Sequence, residues 1–369
     1  MSRPVLYVAV TNHGFGHAVR AASVVAEIQR LNPEILVAMV TTAPRWLLES
    51  YIDGEFLYRP RALDVGVVQS DSITTDRHAT LEKLRDIQRR QNDLIAAEVN
   101  FIRLNRVGLV LADIPPLAAP IAQTAGIPGW MMSNFGWDFI YRDWGGEFLE
   151  VADWIGECFQ QCDRLFRLPM HESLAAFPHI TDAGLTGGTP RYSIDELRQL
   201  LGITAPRDRT VLLSFGGLGL QKIPYDTLND FPEWQFLSFD LNAPELPNLV
   251  NVLHLERQGK LPRHLRPVDV MPLCDRVVSK PGYSTFAEAM RLDLPIVTIT
   301  RDGFAETPLL LEGLKNCARH QIISPTDFLA GHWDFLRQPV EPPKTPHRFA
   351  TDGNETIARA VVEYFDRAS

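Results

Sequence analysis

Short apolar runs, each closed by a turn signal and followed by a segment of helical period, recur along the whole chain and constrain its fold class. Pro4–Val10 is the first, stopping at the polar, Gly-rich Thr11–Gly16, after which His17–Leu31 sets Ala, Val and Ile on one side of a helix. Ile35–Thr41, Ala62–Val68, Gly108–Ala112 and Gly129–Ser133 read as further strands. A long charged helix is expected over Thr80–Arg106, and a small-residue helix follows Pro115-Pro116 and runs to Ala125. Strands alternating with helices predict a parallel, doubly wound sheet. Thr181–Thr189 is Gly-rich and without hydrophobic period, which marks a linker. The pattern then restarts with strands at Thr210–Ser214, Gln235–Phe239, Val250–His254, Arg276–Val278 and Pro295–Thr300, and ends in a helix at Asn354–Asp366. The expectation is an α/β protein of two Rossmann-like, doubly wound domains, 1–185 and 186–350, with a C-terminal helix at 351–369.

The 369 residues suit two domains, each large enough to bury a core. A net charge of −9 argues against a nucleic-acid partner while leaving room for one local basic pocket. Cys158, Cys162, Cys274 and Cys317 lack disulfide or zinc-finger spacing and read as free thiols of a reducing compartment. No stretch approaches the ~20 apolar residues of a membrane span, and Val5–Val10 is too short for a signal peptide. A cytoplasmic protein is expected. Arg89-Arg90 on the long helix leaves peripheral contact with a membrane open, although a solvated charged face is the ordinary reading.

The chemistry concentrates at strand ends. In Ser279-Lys280-Pro281-Gly282-Tyr283-Ser284-Thr285-Phe286-Ala287-Glu288-Ala289 a strand turns on Pro-Gly and opens a helix. Free backbone N–H groups and the positive helix end make such a turn an anion site. Lys280 adds a cation, and Glu288, one turn further on, is placed to accept hydrogen bonds from a diol. A diphosphate joined to a ribose fits that chemistry; a capped helix of a plain α/β domain is the bland alternative.

His13-Gly14-Phe15-Gly16-His17 lies between the first strand and helix, where ligands of open parallel sheets gather. It lacks the Gly-x-Gly-x-x-Gly pattern of nicotinamide enzymes. His17 is a candidate general base and Asp113, ending another buried strand, the carboxylate that orients it. Locally, Asp113 also reads as the cap of the Pro115-Pro116 helix. Phe215-Gly216-Gly217-Leu218-Gly219 brings bare backbone to the same edge, Glu306 offers a carboxylate for sugar hydroxyls, and Asn134, Trp137 and Asp138 form a polar and aromatic group beside it.

With these residues the chain resembles the two-domain GT-B glycosyltransferases, in particular the UDP-glycosyltransferases and the peptidoglycan lipid-intermediate GlcNAc transferase. Gly16-His17 is similar to the Gly-His whose histidine deprotonates the acceptor in that family, and Asp113 to the aspartate that orients it. Ser214-Phe215-Gly216-Gly217 resembles the phosphate-facing loop. Gly282-Tyr283-Ser284-Thr285 with Glu288 resembles the donor signature, in which the glutamate binds ribose; Glu306 falls near the residue that holds donor-sugar hydroxyls. His13–His17, Ser133–Tyr141, Lys280–Thr285, Arg301–Pro308 and Gly331-His332-Trp333 resemble the glycosyltransferase-like N-terminal region of L-arabinokinases, a likeness that does not imply sugar phosphorylation. Lys280 stands where the donor signature usually has histidine, and no aromatic residue for the base is evident in Leu261–Met271.

The resemblance implies domains facing across a cleft, with the C-terminal helix packing back on the first. It implies an inverting, metal-independent transferase with a nucleotide-sugar substrate, expected to be a UDP-sugar, and no cofactor. His17 and Asp113 would be catalytic. Gly216, Gly217, Lys280, Gly282, Ser284, Thr285, Glu288 and Glu306 would bind the donor, and His13, Gly16, Asn134, Trp137 and Asp138 would face an acceptor that is a saccharide, a lipid or a small metabolite. A nucleotide-sugar epimerase of the same fold and a sugar-nucleotide-binding module without turnover are the alternatives.

Overall fold

A computed structural model describes residues 3–69, 75–216, 220, 223–261 and 264–368. Two all-parallel sheets organise them. The first holds β1 (Val5–Val10), β2 (Leu36–Val40), β3 (Phe56–Arg59), β4 (Val107–Asp113), β5 (Gly129–Ser133), β6 (Arg164–Arg167) and β7 (Ile180–Asp182) in the order β3-β2-β1-β4-β5-β6-β7. The second holds β8 (Thr210–Ser214), β9 (Gln235–Ser238), β10 (Leu249–Asn251), β11 (Arg276–Ser279), β12 (Ile296–Ile299) and β13 (His320–Ile323) in the order β10-β9-β8-β11-β12-β13. Each order reverses once, between β1 and β4 and between β8 and β11. Neighbouring loops diverge at such switch points and leave a crevice at the strands' carboxyl ends.

The central strands are apolar in their middles, with polar residues kept to their ends, because helices cover both faces and no polar side is needed. β1 is buried at every residue and β4 at all but Gly108. The Gly16–Leu31 helix buries Ala21, Ala22, Val24, Val25 and Ile28, its face toward the sheet. The core of the first lobe continues without a break into Val268, Tyr283, Phe286 and Ala287 of the second.

Two expectations about elements are corrected. Ala62–Val68 is not a strand; the third strand is β3, which pairs with β2 from Val37↔Phe56 to Val40↔Arg59. The 62–68 backbone is instead held by side chains, with the Val67 N–H on His13 Nδ1 and the Val68 N–H on Thr80 Oγ1. Val250–His254 is a strand only to Asn251, whose side chain then caps the Val252–Arg257 helix by accepting from the His254 N–H. The short strands β6 and β13 carry Arg or His and Gln beside their apolar residues, too little pattern for a sequence reading.

The lobes are joined where the chain crosses itself. Leu185 N–H donates to Ala350 O at 2.7 Å, Gly353 N–H to Leu185 O at 3.2 Å, and Asn354 Nδ2 to Gly187 O at 2.8 Å. From there the Gly353–Ala368 helix lies against the first lobe, with Tyr364 Oη donating to Gly108 O at 2.9 Å. Among the described residues no helix is long and apolar enough to cross a membrane.

Candidate active site

β1 and β4 run side by side to a last rung of Val10 opposite Asp113, and Thr11 N–H returns to Asp113 O at 2.8 Å. The loop 11–15 then needs only five residues to bring His17, in the first turn of its helix, over the end of β4. His17 Nδ1 lies 2.8 Å from Asp113 Oδ1. Asp113 therefore does not cap the following helix, which begins at Ala118. Both of its oxygens are also gripped by Arg20, one helical turn beyond His17. Burial alone would raise the Asp113 carboxyl, but the charges of Arg20 and then His17 outweigh it and hold the group below its usual range.

His13 stacks on Phe304 of the second lobe with ring centroids 6.1 Å apart and packs edge-on against Trp137. Burial, then the charges of His17, Lys280 and Arg301, push its pKa well below the ordinary histidine value. Its Cβ occupies the space a side chain would need at Gly66, which sits at φ +59°. Trp137 is 1% exposed and spends its indole N–H on Thr11 Oγ1 at 3.0 Å, so it walls the site from behind and does not line the cavity. Asp138 lies outside the cavity as well; burial and then Glu172 raise it to about 6.

The second lobe answers with the ends of β8 and β11. Lys280, Pro281, Gly282, Tyr283, Ser284 and Thr285 line a cavity of about 110 Å³ together with Ser214, Gly216, Arg301, Phe304 and Glu306, opposite His13, Gly14, Phe15, Gly16, His17 and Arg20. Gly216 adopts φ +78°, and a Cβ there would stand 3.6 Å from Lys280 Cε. Burial and then the charge of Arg301 lower Lys280 to about 8. Ser284 Oγ donates to Gly16 O at 2.8 Å, joining the lobes directly. Asn134 is fully buried and bridges them too, accepting from Arg20 Nη1 and donating to Glu306 Oε1, both at 2.8 Å. Glu306 thus stands inside the site and is not a solvated cap. Gly217 lies outside the described residues, as does most of the loop that begins at Phe215.

Glu288 is placed elsewhere. Its Oε1 accepts from the Gly188 N–H at 2.9 Å and from Tyr51 Oη at 3.4 Å, so it faces the crossing between the lobes and not the cavity. The reason is helical geometry: Ser284 and Glu288 share a face, but the Ser284 end touches the first lobe's loop while the Glu288 end reaches the linker. Burial raises its carboxyl to about 7, against the opposing pull of the Gly188 N–H, Arg266 and Arg291.

Sequence reasoning misses Arg20, Arg301 and Phe304. The spacing of His17 and Arg20, one turn apart on a helix, is the available signal for the first. Among the described residues no group of three or more His, Cys, Asp and Glu is arranged to hold a metal ion.

No known family profile matches the chain. It is 30% identical over 363 residues to the L-arabinokinase of Arabidopsis thaliana, across 96% of this chain and 34% of that protein. The chain thus spans about a third of the length of the curated relative it matches. Among solved structures it is similar to Arabidopsis thaliana UGT89C1 complexed with UDP, at a TM-score of 0.58 and 11% identity over 98% of this chain and 93% of that one. Medicago truncatula UGT71G1 complexed with UDP-glucose superimposes at 0.56 and 14% identity over 97% and 94%, and the glycotransferase of kitacinnamycin at 0.56 and 14% over 99% of both chains. At such identities the likeness speaks for architecture, and the chain has the GT-B fold, in which two parallel-sheet domains meet at a cleft.

Proposed function

We propose that the protein is a glycosyltransferase that moves a sugar, with inversion and without a metal ion, from a UDP-sugar to a hydroxyl acceptor. One observation carries the reading: the His17–Asp113 pair at the switch point of one sheet faces the Lys280–Ser284 turn at the switch point of the other, across a single cavity. The UDP and UDP-glucose bound in structures of this fold support the nucleotide.

In the reaction, His17 Nε2 takes the proton of the acceptor hydroxyl while Asp113 holds Nδ1. The acceptor oxygen forms its bond to the anomeric carbon on the face opposite the diphosphate, and the bond from that carbon to the diphosphate oxygen breaks. Lys280 and the backbone N–H groups at the start of the Tyr283–Arg291 helix receive the charge of the departing nucleoside diphosphate. Glu306 is assigned to the donor sugar's hydroxyls. The cavity is smaller than the ~300–1,000 Å³ of ordinary ligand sites, so the lobes part to admit a donor.

The similarity to a stretch of a longer arabinokinase favours a second reading, a sugar-nucleotide-binding module without turnover. Incubation of the protein with UDP-sugars and a panel of saccharide, lipid and small-metabolite acceptors, in EDTA, separates the two. Release of UDP that falls at least ~100-fold in His17→Ala, with UDP affinity unchanged, is the expected result. Binding of UDP with no product would leave the module, and product from donor alone would point to an epimerase.

A further inference from the structure

Arg20 is fully buried at 1% exposure and carries five N–H donors with no acceptor. Its Nε donates to Asp113 Oδ2, its Nη1 to Asn134 Oδ1 at 2.8 Å, and its Nη2 to Asp113 Oδ1 and to Ser133 Oγ at 3.1 Å. Nη2 also stands 3.0 Å from His17 Nδ1. That nitrogen has two hydrogens for three neighbours, and the carboxylate Oδ1 at 2.5 Å is the strongest acceptor among them. Asp113 Oδ1 lies 2.8 Å from His17 Nδ1, and an ionised carboxylate oxygen can only accept, so Nδ1 carries a hydrogen and donates it to Oδ1.

We infer that Arg20 is the positioning residue for His17: by holding both oxygens of Asp113 it keeps Oδ1 against Nδ1 and fixes the imidazole as the Nδ1–H tautomer, leaving the Nε2 lone pair on the ring's opposite edge. The charged and titratable groups around the ring are Asp113 from β4, Arg20 from its own helix, His13 from the β1 loop and Asp64 from the segment after β3, with Lys280, Arg301 and Glu306 of the second lobe across the cavity. The arrangement is tied to the other lobe, since the guanidinium lies 5.1 Å from the Tyr283 ring and Asn134 continues to Glu306. The inference rests on the proposed role of His17 as base, but its geometry can be tested apart from activity.

The test is ¹⁵N NMR of the full chain labelled at histidine, at about pH 7.5, with His17 assigned by its loss in His17→Gln. Wild type is expected to give His17 as a neutral imidazole with the hydrogen on Nδ1. Arg20→Met is expected to move part of that signal to the form with the hydrogen on Nε2, because Asp113 Oδ1 is then no longer held against Nδ1. A wild-type signal with the hydrogen on Nε2 overturns the inference without recourse to any variant, as does a signal unchanged in Arg20→Met. If Arg20→Met does not fold, Arg20→Lys keeps the charge but cannot hold both oxygens and Ser133, and must still shift the signal. In UDP release from a UDP-sugar, Arg20→Met is expected to lower kcat at least ~10-fold when His17 is present and to add nothing in the His17→Ala background. Equal losses in both backgrounds mark a purely structural role and overturn it. An absence of any UDP release from wild type counts against the transferase, while the protonation state read by NMR still decides the inference.

Discussion

Ser284 Oγ and Gly16 O, 268 positions apart in the chain, meet in a 2.8 Å hydrogen bond that closes the cleft between the two lobes. Both residues lie in the first turn of a helix that follows a switch-point strand, Gly16 after β1 and Ser284 after β11, and Ser284 and Gly16 both line the cavity. On the proposed function the contact is one that a donor would displace. A Cβ on Gly16 would stand 3.2 Å from Ser284 Oγ, a tight approach that would press on this hydroxyl.

Ser284→Ala should remove this bond without introducing a clash. A net hydrogen bond contributes about 0.5–1.5 kcal/mol, and that is the loss of stability expected in urea unfolding. Small-angle scattering of the variant without ligand is expected to give a larger radius of gyration than wild type. An unchanged radius would mean that other contacts, Asn134–Glu306 among them, suffice to close the cleft.

Lys280 titrates near 8, because burial and Arg301 disfavour its charge. An anionic ligand binds the charged form, present below that value, so the affinity for UDP should decline as the pH rises from about 7 to about 10. Lys280→Met should weaken UDP binding at neutral pH by about 10–100-fold, the worth of a charge-assisted hydrogen bond, and abolish the decline. Calorimetric titration at several pH values decides; a decline of the same steepness in Lys280→Met would assign it to another group.

Glu288 has a folded-state pKa of about 7 against an ordinary 4.5. Between those values the folded chain holds a proton that the unfolded chain has released. The contribution of this group to stability is thus fully present below about pH 4.5 and is lost as the pH rises through about 7, on the order of 3 kcal/mol in all. Glu288→Gln keeps an acceptor for the Gly188 N–H and removes the titration. It should flatten this part of the stability profile and, at about pH 8, be more stable than wild type by about 1–3 kcal/mol, as read from urea midpoints.

Gly353 opens the C-terminal helix at the crossing of the two chain segments, and a Cβ there would be driven into the Gly184 carbonyl. Backbone cannot step aside as a flexible side chain can. Gly353→Ala should cost about 1–3 kcal/mol. Gly156→Ala is the contrast: this glycine lies in the Phe148–Phe159 helix with open space around it, and the change should stabilise by about 0.5–1 kcal/mol. Destabilisation by both, measured in urea, would refute the steric argument for Gly353.

Much of the site is legible in the sequence because it is made of local units. Strand, Gly turn and helix start are contiguous, so the loops at His13–His17 and Lys280–Thr285 announce themselves, and Asp113 at a strand end follows from the same rule. A sequence reading misplaces Trp137 and Asp138 because composition says that a segment is near a sheet edge but not which side chains turn inward. Ala62–Val68 reads as a strand for a related reason: apolar residues pack equally well in a coil whose backbone hydrogen bonds go to side chains.

By itself the sequence determined the fold class and the two strand–turn–helix segments of the candidate site, since both depend on periodicity and on residues within one turn of each other. Tertiary structure alone decided the partners. Arg20 became the clamp of Asp113 only when β4 and β5 converged on its helix, Asn134 became a bridge only when Glu306 arrived from the other lobe, and Glu288 met the linker and not the cavity. Each of these is a buried polar group that must find a partner within ~3 Å, and which partner is within reach is a property of the packed chain.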